Sequence, residues 1–320
     1  MSKLSNNQGR AYEMAYLLSF TAAFKLYECS FNVVKNSSFF AAQRAWESVS
    51  QDMQIMFLES ATAAINTLLD LEPIILENKE DELELLIQSD DKGEEGDVRD
   101  VLIIRHGIEW EIGLSVKHNH FAVKHSRLSK AIDFGEKWFG VPCSWQYWAD
   151  IEPIFAYLEQ EKRNGAKWSE LPSKETDVYI PLLEAFVSEL QRSDANPANA
   201  VPRKMVEYLL GQFDFYKVIS INNQKITQIQ TFNLRGTLNR QGLRTRSASP
   251  PLPIANLPTR MVHVGFMPGS SNTVEMYMDG GWQFSFRIHN ARTKVETSLK
   301  FDIQIIGMPA TIVSINCRWV

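Results

Sequence analysis

The sequence predicts an α+β fold: a central mixed β-sheet flanked by helices, with a β-rich C-terminal half. Three observations predict it. The first 70 residues carry helical apolar patterns, residues 100–117 read as a hairpin, and from Phe213 onward short segments of β character follow one another.

Ala11 to Tyr27 (AYEMAYLLSFTAAFKLY) is apolar nearly all round, which suits a mostly buried helix. Phe40 to Leu71 is a second helical tract with room for one break, and Ala42, Ala45, Val49, Met53, Met56 and Leu68 are its core candidates. The segment after Pro73 is acidic and contains a turn at Ser89 to Gly93. Asp100 to Arg105 then reads as a strand, His106-Gly107 as a turn, and Trp110 to Lys117 as the partner strand. Ser126 is placed to cap a helix running through Leu128, Ala131, Ile132 and Phe134 to Trp138. Further helices are expected over Pro181 to Leu190 and Pro202 to Leu210. Strands are expected at Tyr216–Ile221, Ile226–Phe232, Met261–Phe266, Thr273–Met278, Trp282–Ile288, Val295–Ile305 and Ile312–Cys317. Ser247 to Pro253 (SASPPLP) interrupts them as a stiff loop.

With 320 residues, 44% of them hydrophobic, the chain has material for one large domain or two modest ones. No stretch approaches the roughly 20 apolar residues that span a bilayer, so no membrane partner is expected. The polar start MSKLSNNQGR does not read as a secretory signal. Cys29, Cys143 and Cys317 lie far apart without metal-ligand spacing, which suggests small buried hydrophobes in a reducing cytoplasm.

The net charge of -5 hides a strong asymmetry. Asp70 to Asp97 holds twelve acids against Lys79 and Lys92, whereas no acid lies between Asp214 and Glu275. That acid-free span carries Lys217, Lys225, Arg235, Arg240, Arg244, Arg246 and Arg260, a local field suited to a long polyanion such as nucleic acid.

The hairpin concentrates chemistry. A turn within residues 106–109 brings Asp100 opposite Gly113, Ser115 or Lys117, depending on register, with directly opposed Cβ atoms about 5 Å apart. Ser115 and Lys117 share a face. A carboxylate beside a lysine at the end of adjacent strands can hold Mg²⁺ and assist attack of water on a phosphodiester. The same pair also suits a snorkelling lysine beside a turn aspartate. Asp97, three residues before Asp100 and preceded by Glu94 and Glu95, adds negative charge for a metal. Lys117, Lys124, Arg127, Lys130 and Lys137 add positive charge for a phosphate backbone. Glu111 shares parity with Lys117 but lies about 20 Å away along a straight strand, which suits a supporting acid better than a ligand. Glu13, isolated among apolar neighbours, should meet water, a cation or the site.

His118, Asn119 and His120 admit three readings. They can hydrogen-bond phosphates, form a zinc site with His125 as third ligand, or simply finish a strand in a polar turn.

The run GDVRDVLIIR…WEIGLSVKHNHFAVKHSRLS, Gly96 to Ser129, resembles the catalytic core of the PD-(D/E)XK restriction endonucleases, and among them the type II enzymes that recognise GGCC. The resemblance implies a restriction-endonuclease-like core acting with Mg²⁺ on double-stranded DNA, by direct attack of water and with 5′-phosphate and 3′-hydroxyl ends. It implies Asp100 as the motif aspartate, with Asp97 as its competitor, and Lys117 as the motif lysine. The middle acid falls on Ser115, a departure that leaves Glu13, Asp97 or Glu111 to supply the carboxylate. Asp100, Asp97 and Glu13 are thus the candidate metal ligands. A palindromic target further implies a homodimer. Two alternatives share the same residues: a non-catalytic DNA-binding protein with a degenerate core, which Ser115 would suit, and a structure-selective repair nuclease.

On this reading residues 1–210 hold the helices and the catalytic core, and residues 211–320 serve recognition, whether separate from the core or continuous with it. Arg240, Arg244 and Arg246 suit bidentate contacts to guanine, with Arg235, Asn233 and Asn239 beside them. The stretch GGWQFSFRIHNARTK alternates Gln283, Ser285, Arg287 and His289 on one face with Trp282, Phe284, Phe286 and Ile288 on the other. Gln283 and Arg287 join His118, Asn119, His120, Lys124, His125 and Arg127 as candidate DNA contacts.

Overall fold

A computed structural model describes residues 3–77, 81–89, 92, 96–120, 122–239 and 251–319. The chain forms two compact units, one of residues 1–121, 212–255 and 310–320, the other of residues 122–211 and 256–309. The chain passes between the units at 121/122, 211/212, 255/256 and 309/310.

In the first unit, helix α1 (Lys3–Leu26), strand β1 (Phe31–Val33) and helices α2 (Ser37–Ser48), α3 (Gln51–Leu71) and α4 (Ile74–Glu77) precede the hairpin. The expected break in the second helical tract is real. Asn36 caps α2 by accepting from the Phe39 N–H, and Ser50 caps α3 by accepting from the Met53 N–H. Strands β2 (Leu83–Ile87), β3 (Val101–Arg105), β4 (Trp110–His118), β6 (Phe215–Ile221), β7 (Ile226–Phe232) and β12 (Ser314–Arg318) join β1 in a mixed sheet ordered β1-β2-β3-β4-β6-β7-β12. The β1–β2 and β4–β6 pairs are parallel and the others antiparallel. One sheet face, including Ile112, Leu114, Val116, Tyr216, Val218 and Ile229, packs with Tyr12, Phe20, Phe57 and Leu68 into one apolar core. Ala42, Ala45 and Leu68 are buried there, with Val49, Met53 and Met56 packed against them.

In the second unit, strands β5 (Ala122–Leu128), β8 (Met261–Phe266), β9 (Thr273–Met278), β10 (Gln283–His289) and β11 (Leu299–Gly307) form an antiparallel sheet ordered β5-β11-β10-β9-β8. Its helices are α5 (Phe134–Phe139), α6 (Trp145–Arg163), α7 (Ile180–Asp194) and α8 (Val201–Leu210). Trp138, Phe186, Phe286 and Phe301 cluster in its core.

The helix expected from Ser126 to Trp138 does not form. Residues 122–128 are strand β5, paired with β11, and the helix begins only at Phe134, where the Asp133 carboxylate caps it by accepting from the Glu136 N–H. Ser126, expected as a cap, instead accepts a hydrogen bond from the Trp138 indole at 3.2 Å. The acidic segment after Pro73 supplies β2, a strand the sequence reading lacks. The three cysteines are free and buried, as expected. Among the described residues no helix is long and apolar enough to cross a membrane.

Candidate active site

The β3–β4 hairpin decides the register left open above. A 3-10 turn at His106–Ile108 and a left-handed Glu109 close it, and Val101 pairs with Leu114, so Asp100 comes opposite Ser115. The Asp100 N–H donates to the Leu114 carbonyl at 2.7 Å. Its carboxylate accepts from the Val116 N–H at 2.6 Å and from the Lys117 ammonium at 2.9 Å. Both side chains remain about a quarter exposed, 24% for Asp100 and 26% for Lys117. Burial works to lower the Lys117 pKa, but Asp100 and then the charge of Glu13 on α1 outweigh it and raise the pKa above the ordinary lysine value. Four of the expected residues therefore gather: Asp100 and Ser115 face each other, Lys117 binds Asp100, and Glu13 acts on Lys117.

Asp97 and Glu111 go elsewhere. The buried Arg99 guanidinium donates to both Asp97 oxygens, at 2.8 and 2.7 Å, and to Glu111 at 2.7 Å. It also lies over the Phe213 ring, 4.0 Å from the centroid. Burial opposes its charge, yet the two carboxylates raise its pKa further. Gly113 makes room for this arginine: a Cβ there would overlap the Arg99 side chain. Glu111 is thus engaged by Arg99. Asp97 is held by the same arginine, which the sequence reading passed over.

His118 ends β4 on the helical side of the sheet. Its ring packs edge-on against Phe57 and Tyr12, and Nδ1 lies 2.8 Å from the Ser220 hydroxyl. Burial lowers its pKa. Asn119 adopts a left-handed backbone, donates its N–H to the Ser220 carbonyl and accepts from the Asn222 N–H. These two finish a strand, and the zigzag that would align His118 with His120 stops at Asn119. His120 is half-buried.

Further polar groups of this unit shape the loop after β7. Asn233 is buried, donates to the Leu252 carbonyl and accepts from the Leu238 N–H. The Asn239 N–H donates to Glu72, which also accepts from the Tyr216 hydroxyl at 2.6 Å. Burial pushes the Glu72 carboxyl up to about 7, although both hydrogen bonds work the other way. Arg235 is exposed. Arg240, Arg244 and Arg246 lie outside the described residues, as do Glu94 and Glu95.

In the second unit, Lys124 donates to the Tyr208 carbonyl at 2.9 Å and sits over the Tyr208 ring. Burial, with the charge of Lys137, lowers its pKa to about 8. Asp302 on β11 lies between its register partners: the His125 ring at 3.8 Å and the Arg287 guanidinium at 3.1 Å. His125 and Asp302 are both of metal-ligating type. Arg127 donates to the Ser298 carbonyl at 3.0 Å. Trp282, Phe284, Phe286 and Ile288 are buried, Arg287 is exposed, and Gln283 and His289 are half-buried, so the expected alternation holds except at Ser285, which is buried.

Lys217, counted from sequence among the cations of the acid-free span, is instead buried, with 3% exposure in the middle of the apolar strand FYKVISI. The signal was present: one charge inside an otherwise apolar strand.

A family model described as HaeIII restriction endonuclease matches residues 9–309 of this chain. The type II restriction enzyme HaeIII of Haemophilus aegyptius is 52% identical over 319 residues, covering 100% of this chain and 99% of that protein. No solved structure matches.

Proposed function

The chain belongs to the HaeIII restriction endonuclease family, and from that membership we propose that it cuts double-stranded DNA at GGCC, using Mg²⁺ held by Asp100 and Glu13. The observation that carries this reading is the Asp100–Lys117 contact at the hairpin end, with the charge of Glu13 acting on the same ammonium. Two carboxylates are a ligand set for a hard, oxygen-seeking ion, and an Mg²⁺ ion completes its shell with water and substrate phosphate. When bound, it supplies charge neutralisation at the phosphate and acidifies water.

The chain's own groups do the rest. The Val116 N–H and the Lys117 ammonium fix the Asp100 carboxylate, so its geometry is set before substrate arrives. Lys117, charged and partly exposed, orients the attacking water and offsets charge on the phosphoryl oxygens. Water oxygen bonds to phosphorus, the bond to the 3′ oxygen breaks, and 5′-phosphate and 3′-hydroxyl ends result. Arg235, Arg240, Arg244, Arg246, Lys124, His125, Arg127, Gln283 and Arg287 are the proposed DNA-contacting residues. His120 belongs with them, while His118 and Asn119 act through the end of β4. A two-fold GGCC word further places a homodimer in this proposal, to be checked by sedimentation with and without duplex.

Plasmid digestion tests the reading. Discrete fragments in Mg²⁺ that vanish with EDTA are expected, and an intact plasmid with every divalent ion contradicts it. Lys117→Ala should lose at least about 100-fold in cleavage rate while still binding GGCC duplex. Loss of binding in step with cleavage would point instead to a DNA-binding role for the lysine.

A further inference from the structure

We propose that Lys300 is the centre of a phosphate clamp on the sheet of the second unit, where with Arg127 it grips one backbone phosphate of bound duplex DNA. The inference rests on the endonuclease reading and goes beyond it, because such a contact holds the duplex without reading its sequence.

The sheet register places the residues. Lys300 on β11 pairs with Arg127 on β5 and with His289 on β10. Directly paired residues share a face, so the three side chains form one row across three adjacent strands. Their chain neighbours Phe301 and Ile288 are buried on the other face, where Phe301 meets Trp138 and Phe186. The row itself reaches solvent: the Arg127 side chain is 40% exposed, and Lys300 and His289 are half-buried.

Charge along this row is unbalanced. Arg127 and Lys300 stand directly opposed, and like charges so placed repel. Burial and then the charge of Arg127 lower the Lys300 pKa, although Asp302 works the other way. His289, its pKa lowered by burial and then by Arg287 and Lys300, brings a neutral imidazole to the row. Asp302 lies in the next row, where it accepts from the Arg287 guanidinium at 3.1 Å. Glu296 lies 3.3 Å from Arg292 and 3.9 Å from Arg127. Arg127 donates to the Ser298 carbonyl, which anchors it at the start of β11. Taking residues 283–304 with Arg127, five fixed cations (Arg127, Arg287, Arg292, Lys294 and Lys300) meet two acids, Glu296 and Asp302. A face of this sign complements a polyanion, and a guanidinium beside an ammonium suits the two free oxygens of a phosphodiester.

The test compares wild type with Lys300→Met, which keeps the aliphatic stem and removes the charge, and with Lys300→Arg, which keeps the charge. Metal-free affinity is measured for a GGCC duplex and for an unrelated duplex over a range of salt. Lys300→Met should weaken both by the same factor, roughly tenfold. It should also lower the slope of log affinity against log salt by about 0.9, while Lys300→Arg keeps the wild-type slope. A scan that replaces each phosphate of the GGCC duplex in turn by a neutral methylphosphonate locates the contact. One position in each half-site should weaken binding by wild type and leave the methionine variant unaffected. An unchanged slope in Lys300→Met, a loss confined to the GGCC duplex, or the lack of such a position overturns the proposal. So does an arginine variant that behaves like the methionine one. Removing a repelled charge should leave the melting transition at or above that of wild type. A methionine variant that melts lower, or does not fold, makes Lys300 a structural cation and also overturns the proposal. Wild-type digestion separates this inference from the reading beneath it. No cutting by wild type in Mg²⁺ contradicts the endonuclease, whereas cutting by wild type with an unshifted methionine variant contradicts only the clamp.

Discussion

Glu72 shows how a single buried group ties the fold to pH. Its carboxyl is 1% exposed, accepts from Tyr216 and Asn239, and has its pKa raised from 4.5 to about 7, chiefly by burial. Between those values the folded chain holds a proton that the unfolded chain has released. Stability is therefore complete below about pH 4.5 and is lost as pH rises through about 7, a total of about 3 kcal/mol. Glu72→Gln retains an acceptor for both hydrogen bonds and cannot ionise. It should melt higher than wild type at pH 8 and flatten the stability profile between pH 5 and 7 in denaturant titrations. An unchanged profile would mean that Glu72 is not the titrating group. From sequence, Asp97 and Asp100 compete as the motif aspartate, because spacing cannot show that Arg99 takes Asp97 and Glu111 together and leaves Asp100 to Lys117.

At the scale of elements, the hairpin depends on a position without a side chain. Gly113 leaves the space that Arg99 occupies on its way to Asp97 and Glu111. Gly113→Ala should cost about 1–3 kcal/mol by overpacking, and more if two acids lose their counter-ion. Thermal melting reads the loss, and a variant as stable as wild type would show that Arg99 is not held there. The elements legible in the sequence were those whose pattern is local. Ile226–Phe232, Met261–Phe266 and Thr273–Met278 coincide with the strands expected, and the hairpin turn lies where His106-Gly107 placed it. Strand β5 was not legible. Lys124, Arg127 and Lys130, with Leu128, Ala131 and Phe134, recur at helical spacing, and what makes residues 122–128 a strand is pairing with β11, more than 170 residues later. The same limit hid the parallel pairing of β4 with β6, which joins positions about 100 residues apart. Glu13 stood out as an acid among apolar neighbours, and Asp100 and Lys117 by their places on the two strands of the hairpin.

For the whole molecule, an overall charge of -5 coexists with cations set out for a polyanion. Binding to duplex should weaken with salt, each neutralised phosphate adding about −0.9 to the slope of log affinity against log salt. Arg287→Ala should reduce that slope by about one and leave single-turnover cleavage of bound duplex unchanged, if Arg287 meets backbone. A changed choice of sequence would make it a base reader instead. The central claim is that the site built around Asp100 and Lys117 hydrolyses DNA at one fixed word. Sequencing the ends released by the purified protein in Mg²⁺, with Asp100→Ala as the parallel sample, tests it most directly. The account predicts GGCC at every break, 5′-phosphates on the new ends, and no breaks from the variant. Breaks scattered over unrelated sequences, or the same breaks from Asp100→Ala, would contradict it.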